Sequence, residues 1–290
     1  MPSHPRILFG GASIGDDHVT QEEVLHLLQG LKELGIKEID TARRYPAFNF
    51  GASEQLLGQA GAATLGFAID TKVLVTSADG NGSLTPEKIN ESADFETPLE
   101  DQAAALDALH KAGVYNELGV SNWSEDMLIR FIAICKHHGY IQPSVYQGLY
   151  NVLCRDRETL IPVLRANGIV YNAYSPLGGG FLSGKLTSGN YDGTRFAKDN
   201  IIGKFSKLHF DKKMWHEAMN SLDETLKIAN ISNIEAALRW LSFHSQLGPN
   251  DGIILGASKL EYIEQNIAAI QKGPLPEDIA SSMAKICVVV

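Results

Sequence analysis

Apolar positions along this chain follow two alternating rhythms. Short apolar and β-branched runs at residues 7–9, 38–40, 67–73, 115–120, 144–146, 169–174 and 253–255 read as strands. Between them, apolar residues recur three and four apart, the spacing that buries one side of a helix. Val24, Leu27, Leu28, Leu31 and Leu34 make one such stripe. Thr20 with Glu23 marks its start, because the hydroxyl accepts from the glutamate N–H while the carboxylate returns to the threonine N–H; Gly35 ends it. Ser53 opens a short helix to residue 57. Thr97 with Glu100 opens another through Leu106 and Leu109 to Gly113, with Pro98 in the first helical position, where its missing N–H costs nothing. Ser124 caps a helix running to His138, residues 159–166 and 215–228 form two more, Ser232 with Glu235 caps the next, and Ser258 with Glu261 caps the last.

Strands separated by helices build a parallel sheet from βαβ units, and the repetition of that unit predicts an α/β (β/α)8 TIM barrel. Seven strands are legible, one short of the eight that close it. The shortfall falls at one place. A helix opening at Thr85-Pro86-Glu87-Lys88 has run barely two turns at Ser92 when Ala93-Asp94-Phe95-Glu96 leads into the next capping signal. The fourth strand and part of the preceding helix are therefore expected to be missing, with a deletion near 92–94. The strands at 67–73 and 115–120 must then either pair directly or leave two edges. No linker or composition shift divides the chain, so residues 1–290 are expected to form a single domain.

Composition narrows the function. Lys and Arg number 25 against 34 Asp and Glu, a net charge of −9 without any basic run, which argues against nucleic acid as a partner. The longest apolar runs, 131–135 and 286–290, are too short to cross a bilayer, and residues 1–6 lack the pattern of a secretory signal. Cys135, Cys154 and Cys287 have neither disulfide-framework nor zinc-site spacing, so a cytoplasmic location is expected and no metal site. Oligomeric state is not encoded in any pattern, and an oligomer stays open.

Enzymes on this fold carry their chemistry at the carboxyl ends of the strands. Asp40 ends the second strand, Tyr45 follows in its loop, and Lys72 lies near the end of the third. An ammonium beside a phenol favours phenolate, and a carboxylate would hold that lysine charged, so Tyr45 could protonate a carbonyl oxygen near neutral pH. Spacing alone favours a plainer arrangement: an internal ion pair of Asp40 and Lys72 beside a packed aromatic. The run from Ser175 to Lys185, with Gly178-Gly179-Gly180, and the turn Gly256-Ala257-Ser258-Lys259 could each cradle phosphate through backbone N–H groups, and their order in the chain matches the usual phosphate loops of a barrel. Leu186 stands where a nucleotide-hydrolysing loop needs Ser or Thr. His137 and His138 fall at a helix end and His244 before the last strand, all on the opposite face. His18 lies on the functional face without a nameable partner, and Trp123 suits either a pocket wall or the core.

The segment Asp40-Thr41-Ala42-Arg43-Arg44-Tyr45, with Lys72 beyond it, resembles the aldo-keto reductase superfamily, and most closely its aflatoxin-aldehyde reductase subgroup. Gly119-Val120-Ser121-Asn122, Val145-Tyr146-Gln147-Gly148-Leu149-Tyr150-Asn151, Tyr174-Ser175-Pro176-Leu177 through Gly184-Lys185, Leu238-Arg239-Trp240, and Ile254-Leu255-Gly256-Ala257-Ser258 with Glu264-Gln265-Asn266 extend the likeness in family order. The resemblance implies an NADPH-dependent oxidoreductase that reduces an aldehyde or ketone to an alcohol, in detoxification or in tailoring fungal secondary metabolites. It implies Tyr45 as general acid, Lys72 as its activator and Asp40 as the holder of Lys72. Ser121, Asn122 and Gln147 would hold the nicotinamide carboxamide, with Tyr174 and Ser175 beside the ring. Leu177, Gly179, Lys185 and Arg195 would follow the pyrophosphate, and Ser258, Lys259, Gln265 and Asn266 the 2′-phosphate end. The substrate would be a small-molecule carbonyl compound. The family's fourth strand ends in a histidine that this chain lacks, which leaves a catalytically impaired NADP-binding protein or a defective splice product as the alternative.

Overall fold

The computed structural model describes residues 3–72, 98–190, 194, 196, 207 and 210–286. Seven parallel strands form one sheet: β1 (Arg6–Gly10), β2 (Glu38–Asp40), β3 (Ala68–Asp70), β4 (Leu118–Ser121), β5 (Pro143–Leu149), β6 (Val170–Tyr174) and β7 (Gly252–Leu255). Their order is β3-β2-β1-β7-β6-β5-β4. The first strand neighbours the last, as in a (β/α)8 barrel, and the fold is of that type with seven strands among the described residues. Among the described residues β3 and β4 stand at the two ends of that order, and no direct pairing between them is found. The short helix starting at Thr85 lies outside the described residues, as do Thr97, Arg195 and Cys287.

Helices follow the strands: α1 (Gln21–Glu33), α2 (Ala52–Gln59), α3 (Leu99–Lys111), α4 (Glu125–His138), α5 (Ile161–Ala166), α6 (Lys213–Ala229), α7 (Asn233–Phe243), α8 (Leu260–Gln271) and α9 (Glu277–Ala284). Caps explain several of their starts. Thr20 and Glu23 form the reciprocal pair at α1, and the two backbone N–H groups donated to Glu23 hold its carboxyl below the usual range. Ser124 and Ser232 accept from Met127 and Glu235 N–H at α4 and α7. Two starts differ from expectation. Pro98 is the N-cap of α3 rather than its first helical residue. Lys259, not Ser258, caps α8, because Lys259 has the extended backbone (φ −142°, ψ 144°) that an N-cap needs. The helix α9 carries no such signal in its sequence.

The chain falls into two compact units. The amino-terminal unit comprises Leu8–Gln147 and Pro162–Asn172; the carboxyl-terminal unit comprises Met1–Ile7, Gly148–Ile161 and Ala173–Val290. In the first, α1 buries Val24, Leu27, Leu28 and Leu31, and Leu99, Ala103, Leu118, Phe131 and Cys135 form a core between α3, β4 and α4. Trp123 packs edge-on against Phe131 with ring centroids 5.1 Å apart, so it belongs to that core. In the second, Phe181, Trp215, Trp240 and Ile253 are fully buried. Parallel register aligns the strand ends that matter: Asp40 pairs with Asp70, and Ser121 with Gln147.

Candidate active site

The ladder between β2 and β3 continues past both strands, with Thr41 N–H donating to Asp70 C=O at 2.7 Å and Arg43 N–H to Lys72 C=O at 3.0 Å. That backbone pairing carries Lys72 to the end of β2. Its Nζ donates to Asp40 Oδ1 and, at 2.8 Å, to Thr41 C=O, and lies 5.1 Å from the centroid of the Tyr45 ring. Asp40 is only 3% exposed. A carboxylate so buried needs partners, and a second one is Gln147, whose Nε2 donates to the same oxygen at 2.8 Å. The plain ion pair thus exists, and the phenol ring lies beside its cation.

Tyr45 is fixed from both sides. Its N–H donates to Ala42 C=O at 2.9 Å, and its C=O accepts from Ser53 N–H at 3.2 Å. Ser53 is fully buried; its hydroxyl donates to Gly11 C=O at 3.0 Å and lies 2.7 Å from the buried Thr41 hydroxyl. This Thr41–Ser53 pair ties the loop after β2 to the start of α2 and to the end of β1. Sequence reasoning missed it, taking Ser53 only as the start of a helix. Ser121 ends β4, and Asn122 adopts a left-handed backbone (φ 59°) that asparagine tolerates, with its N–H on Gln147 C=O at 3.1 Å and its Nδ2 on Ser121 Oγ at 3.1 Å. Asp40, Tyr45, Lys72, Ser121, Asn122 and Gln147 are therefore connected within the amino-terminal unit. His18 Nε2 is buried there without a hydrogen-bond partner among the described residues.

The remaining expected residues lie in the carboxyl-terminal unit, except Arg195, which is outside the described residues. Tyr174 ends β6 and accepts from Tyr150 N–H at 3.4 Å; Ser175 follows in a left-handed conformation, its C=O held by Asn151 Nδ2 at 3.0 Å. Leu177 leads into a 3-10 segment, Gly178–Ser183, in which Gly179 has φ 62°. A Cβ at Gly179 would stand 3.1 Å from the Phe210 ring, so a side chain there is strained in conformation and crowds that ring. Lys185, Ser258, Lys259 and Gln265 are exposed, and Asn266 is buried in α8. No side chain caps the first turn of α8.

The Aldo/keto reductase family model matches residues 6–94 and 91–287. The chain belongs to the aldo/keto reductase family. Among related members, oxidoreductase sirO of Leptosphaeria maculans is 33% identical over 317 aligned positions, covering 97% of this chain and 93% of that protein. Aflatoxin B1 aldehyde reductase member 2 of Rattus norvegicus is 35% identical, covering 84% of this chain and 74% of its own length. The glycerol dehydrogenase AKR11B4 from Gluconobacter oxydans matches the fold with a TM-score of 0.71 at 24% identity, over 97% of this chain and 90% of that one. This aldo/keto reductase is thus an oxidoreductase by family. Among its described residues no helix is long and apolar enough to cross a membrane, and no cluster of His, Cys, Asp and Glu could hold a metal ion.

Proposed function

We propose that this aldo/keto reductase reduces an aldehyde or ketone to an alcohol with NADPH, and that Tyr45 is the proton donor. The observation that carries the reading is Lys72, held by buried Asp40 on one side and set against the Tyr45 ring on the other. As the carbonyl oxygen gains electron density, the Tyr45 hydroxyl gives it a proton; the Lys72 ammonium stabilises the phenolate left behind, and Asp40 keeps Lys72 charged and in place. Bound nicotinamide nucleotide would supply the hydride. The residues present fit such a ligand. In the carboxyl-terminal unit, Gly179 leaves its backbone bare in a left-handed turn, the first turn of α8 has no side-chain cap, and the exposed Lys185 and Lys259 supply positive charge. A 2′-phosphate suits Lys259 better than a free ribose hydroxyl does, which favours NADPH over NADH. In the amino-terminal unit, Ser121 and Asn122 offer polar groups for a carboxamide. The aldehyde named for the rat relative supports a carbonyl substrate here.

One observation favours a slow enzyme. The family model is matched in two segments, residues 6–94 and 91–287, that overlap at residues 91–94. A segment lost there would take with it the histidine expected at the end of the fourth strand. The deciding experiment follows NADPH oxidation with a reactive aldehyde for wild type and Tyr45→Phe. Turnover in the wild type, lost in the variant while NADPH affinity stays within about twofold, is expected. Turnover retained by Tyr45→Phe would refute the proton-donor role, and stoichiometric NADPH binding without any turnover would select a nucleotide-binding protein instead.

A further inference from the structure

A second group of side chains, in the carboxyl-terminal unit, has the connectivity of a nucleophile, a base and an orienting acid. Thr187 Oγ1 lies 2.9 Å from His216 Nδ1, and His216 Nε2 lies 2.8 Å from Asp211 Oδ1. None of the three belongs to the set expected to bind nucleotide or to move the Tyr45 proton. An ionised carboxylate only accepts, so in the neutral imidazole Nε2 carries the hydrogen and the lone pair of Nδ1 faces the threonine hydroxyl. Thr187 then donates to a ring nitrogen that is able to take its proton.

Each member is held by its own element. Thr187 lies in a turn after the 3-10 segment, where Ser188 N–H donates to Gly184 C=O and Asn190 N–H to Lys185 C=O, each at 3.0 Å. Asp211 precedes α6, and His216 lies in its first turn, with its N–H on Lys212 C=O at 3.2 Å. The imidazole stands edge-on to the buried Phe181 ring, with centroids 5.2 Å apart. Thr187 is half-buried and 24% of the His216 side chain is exposed, so the hydroxyl and its base are open to a solute. Stapling the turn to the helix needs only the Thr187–His216 bond. The carboxylate on the far nitrogen adds what a base needs: it fixes the tautomer and stabilises an imidazolium.

We infer that Thr187 is a nucleophilic hydroxyl that accepts acyl groups from activated esters and thioesters. Its Oγ1 bonds to the acyl carbon as its proton passes to His216 Nδ1; the bond from that carbon to the leaving oxygen or sulfur breaks, and the proton follows the leaving group. Asp211 stabilises the imidazolium that exists between the two transfers. Nothing is oxidised or reduced, and the activity is independent of the reduction proposed at Tyr45. A secondary hydroxyl is a crowded nucleophile, which sets the donor class: the leaving group is a weak base, a phenolate or thiolate, rather than an alkoxide.

The test mixes the full chain with p-nitrophenyl acetate, follows p-nitrophenolate release and locates acetyl groups by peptide mass spectrometry. Acetyl on Thr187 is expected in the wild type. Thr187→Val should abolish that label, and His216→Gln should slow its appearance by about a hundredfold, the scale of a lost general base. Thr187→Ser, which keeps a hydroxyl, should retain it. Thermal midpoints measured alongside show which variants fold; should Thr187→Val not fold, His216→Gln and Thr187→Ser decide. Equal labelling of Thr187 in wild type and His216→Gln, or acetyl on lysines alone, would overturn the proposal. So would a folded Thr187→Ser chain that takes no label at that position.

Discussion

Asp40 Oδ1 accepts from two donors, Lys72 and Gln147, and both bonds lie below the surface. Replacing Gln147 with Leu removes one donor from a buried carboxylate while leaving the cation. The expected cost is about 1–2 kcal/mol in urea-induced unfolding, since a charged group losing one bond is penalised more than a neutral one. No change in midpoint would mean that Lys72 alone satisfies Asp40. Gly179 offers a second test at this scale. An alanine there must adopt φ 62° and meet Phe210 at 3.1 Å, so Gly179→Ala should destabilise the fold by roughly 1–2 kcal/mol and also weaken NADPH binding in fluorescence titration. That Asp40, Tyr45 and Lys72 converge was readable because strand ends on this fold lie together. The Thr41–Ser53 hydroxyl pair was not readable, since only packing reveals that two small polar residues are buried together.

Whole elements set the charge and the pH response. The start of α8 carries Lys259 as N-cap residue with no side-chain cap, so Lys259→Met should raise the Kd for NADPH by about tenfold and leave that for NADH nearly unchanged. Equal effects on the two would remove the 2′-phosphate from this helix end. At the end of α7, His244 accepts a hydrogen bond from Leu275 N–H at 2.9 Å, and burial holds its pKa below the ordinary 6.5, with Glu277 opposing and Arg239 adding to the shift. A depressed folded-state value means that the unfolded chain takes up the proton first. Stability is therefore full above about pH 6.5 and declines as the pH falls below it toward the folded value. The thermal midpoint should drop between pH 7.5 and 5.5, and less so in His244→Gln, which keeps an acceptor but does not titrate. Caps were legible where a side chain alone decides the helix start, as at Thr20, Ser124 and Ser232. They failed at Ser258, where the turn out of β7 puts the extended residue one position later.

At the scale of the molecule, seven parallel strands could be inferred from alternation alone, and among the described residues β3 and β4 are the two ends of their order. Sequence could not say which of two responses the gap would provoke, because pairing depends on distances between elements far apart in the chain. Both edges carry backbone groups that no neighbouring strand pairs among the described residues, a liability for solubility. Restoring a strand and its terminal histidine between Ser92 and Ala93 should raise kcat/KM on a reactive aldehyde by at least about a hundredfold and increase the soluble yield. Equal rates for the two forms would show that this aldo/keto reductase works without them.

Strand β1 begins in one unit and ends in the other, and its opening residue is held by the far end of the chain: Arg6 N–H donates to Asp251 C=O at 2.8 Å, and Arg6 Nε to Asn250 C=O at 3.1 Å. During synthesis those partners emerge about 245 residues after Arg6. At about 5–20 residues per second, the opening residue of β1 waits on the order of 12–50 s for the bonds that hold it. A message cut short before β7 thus yields a product in which the opening of β1 never acquires its partner.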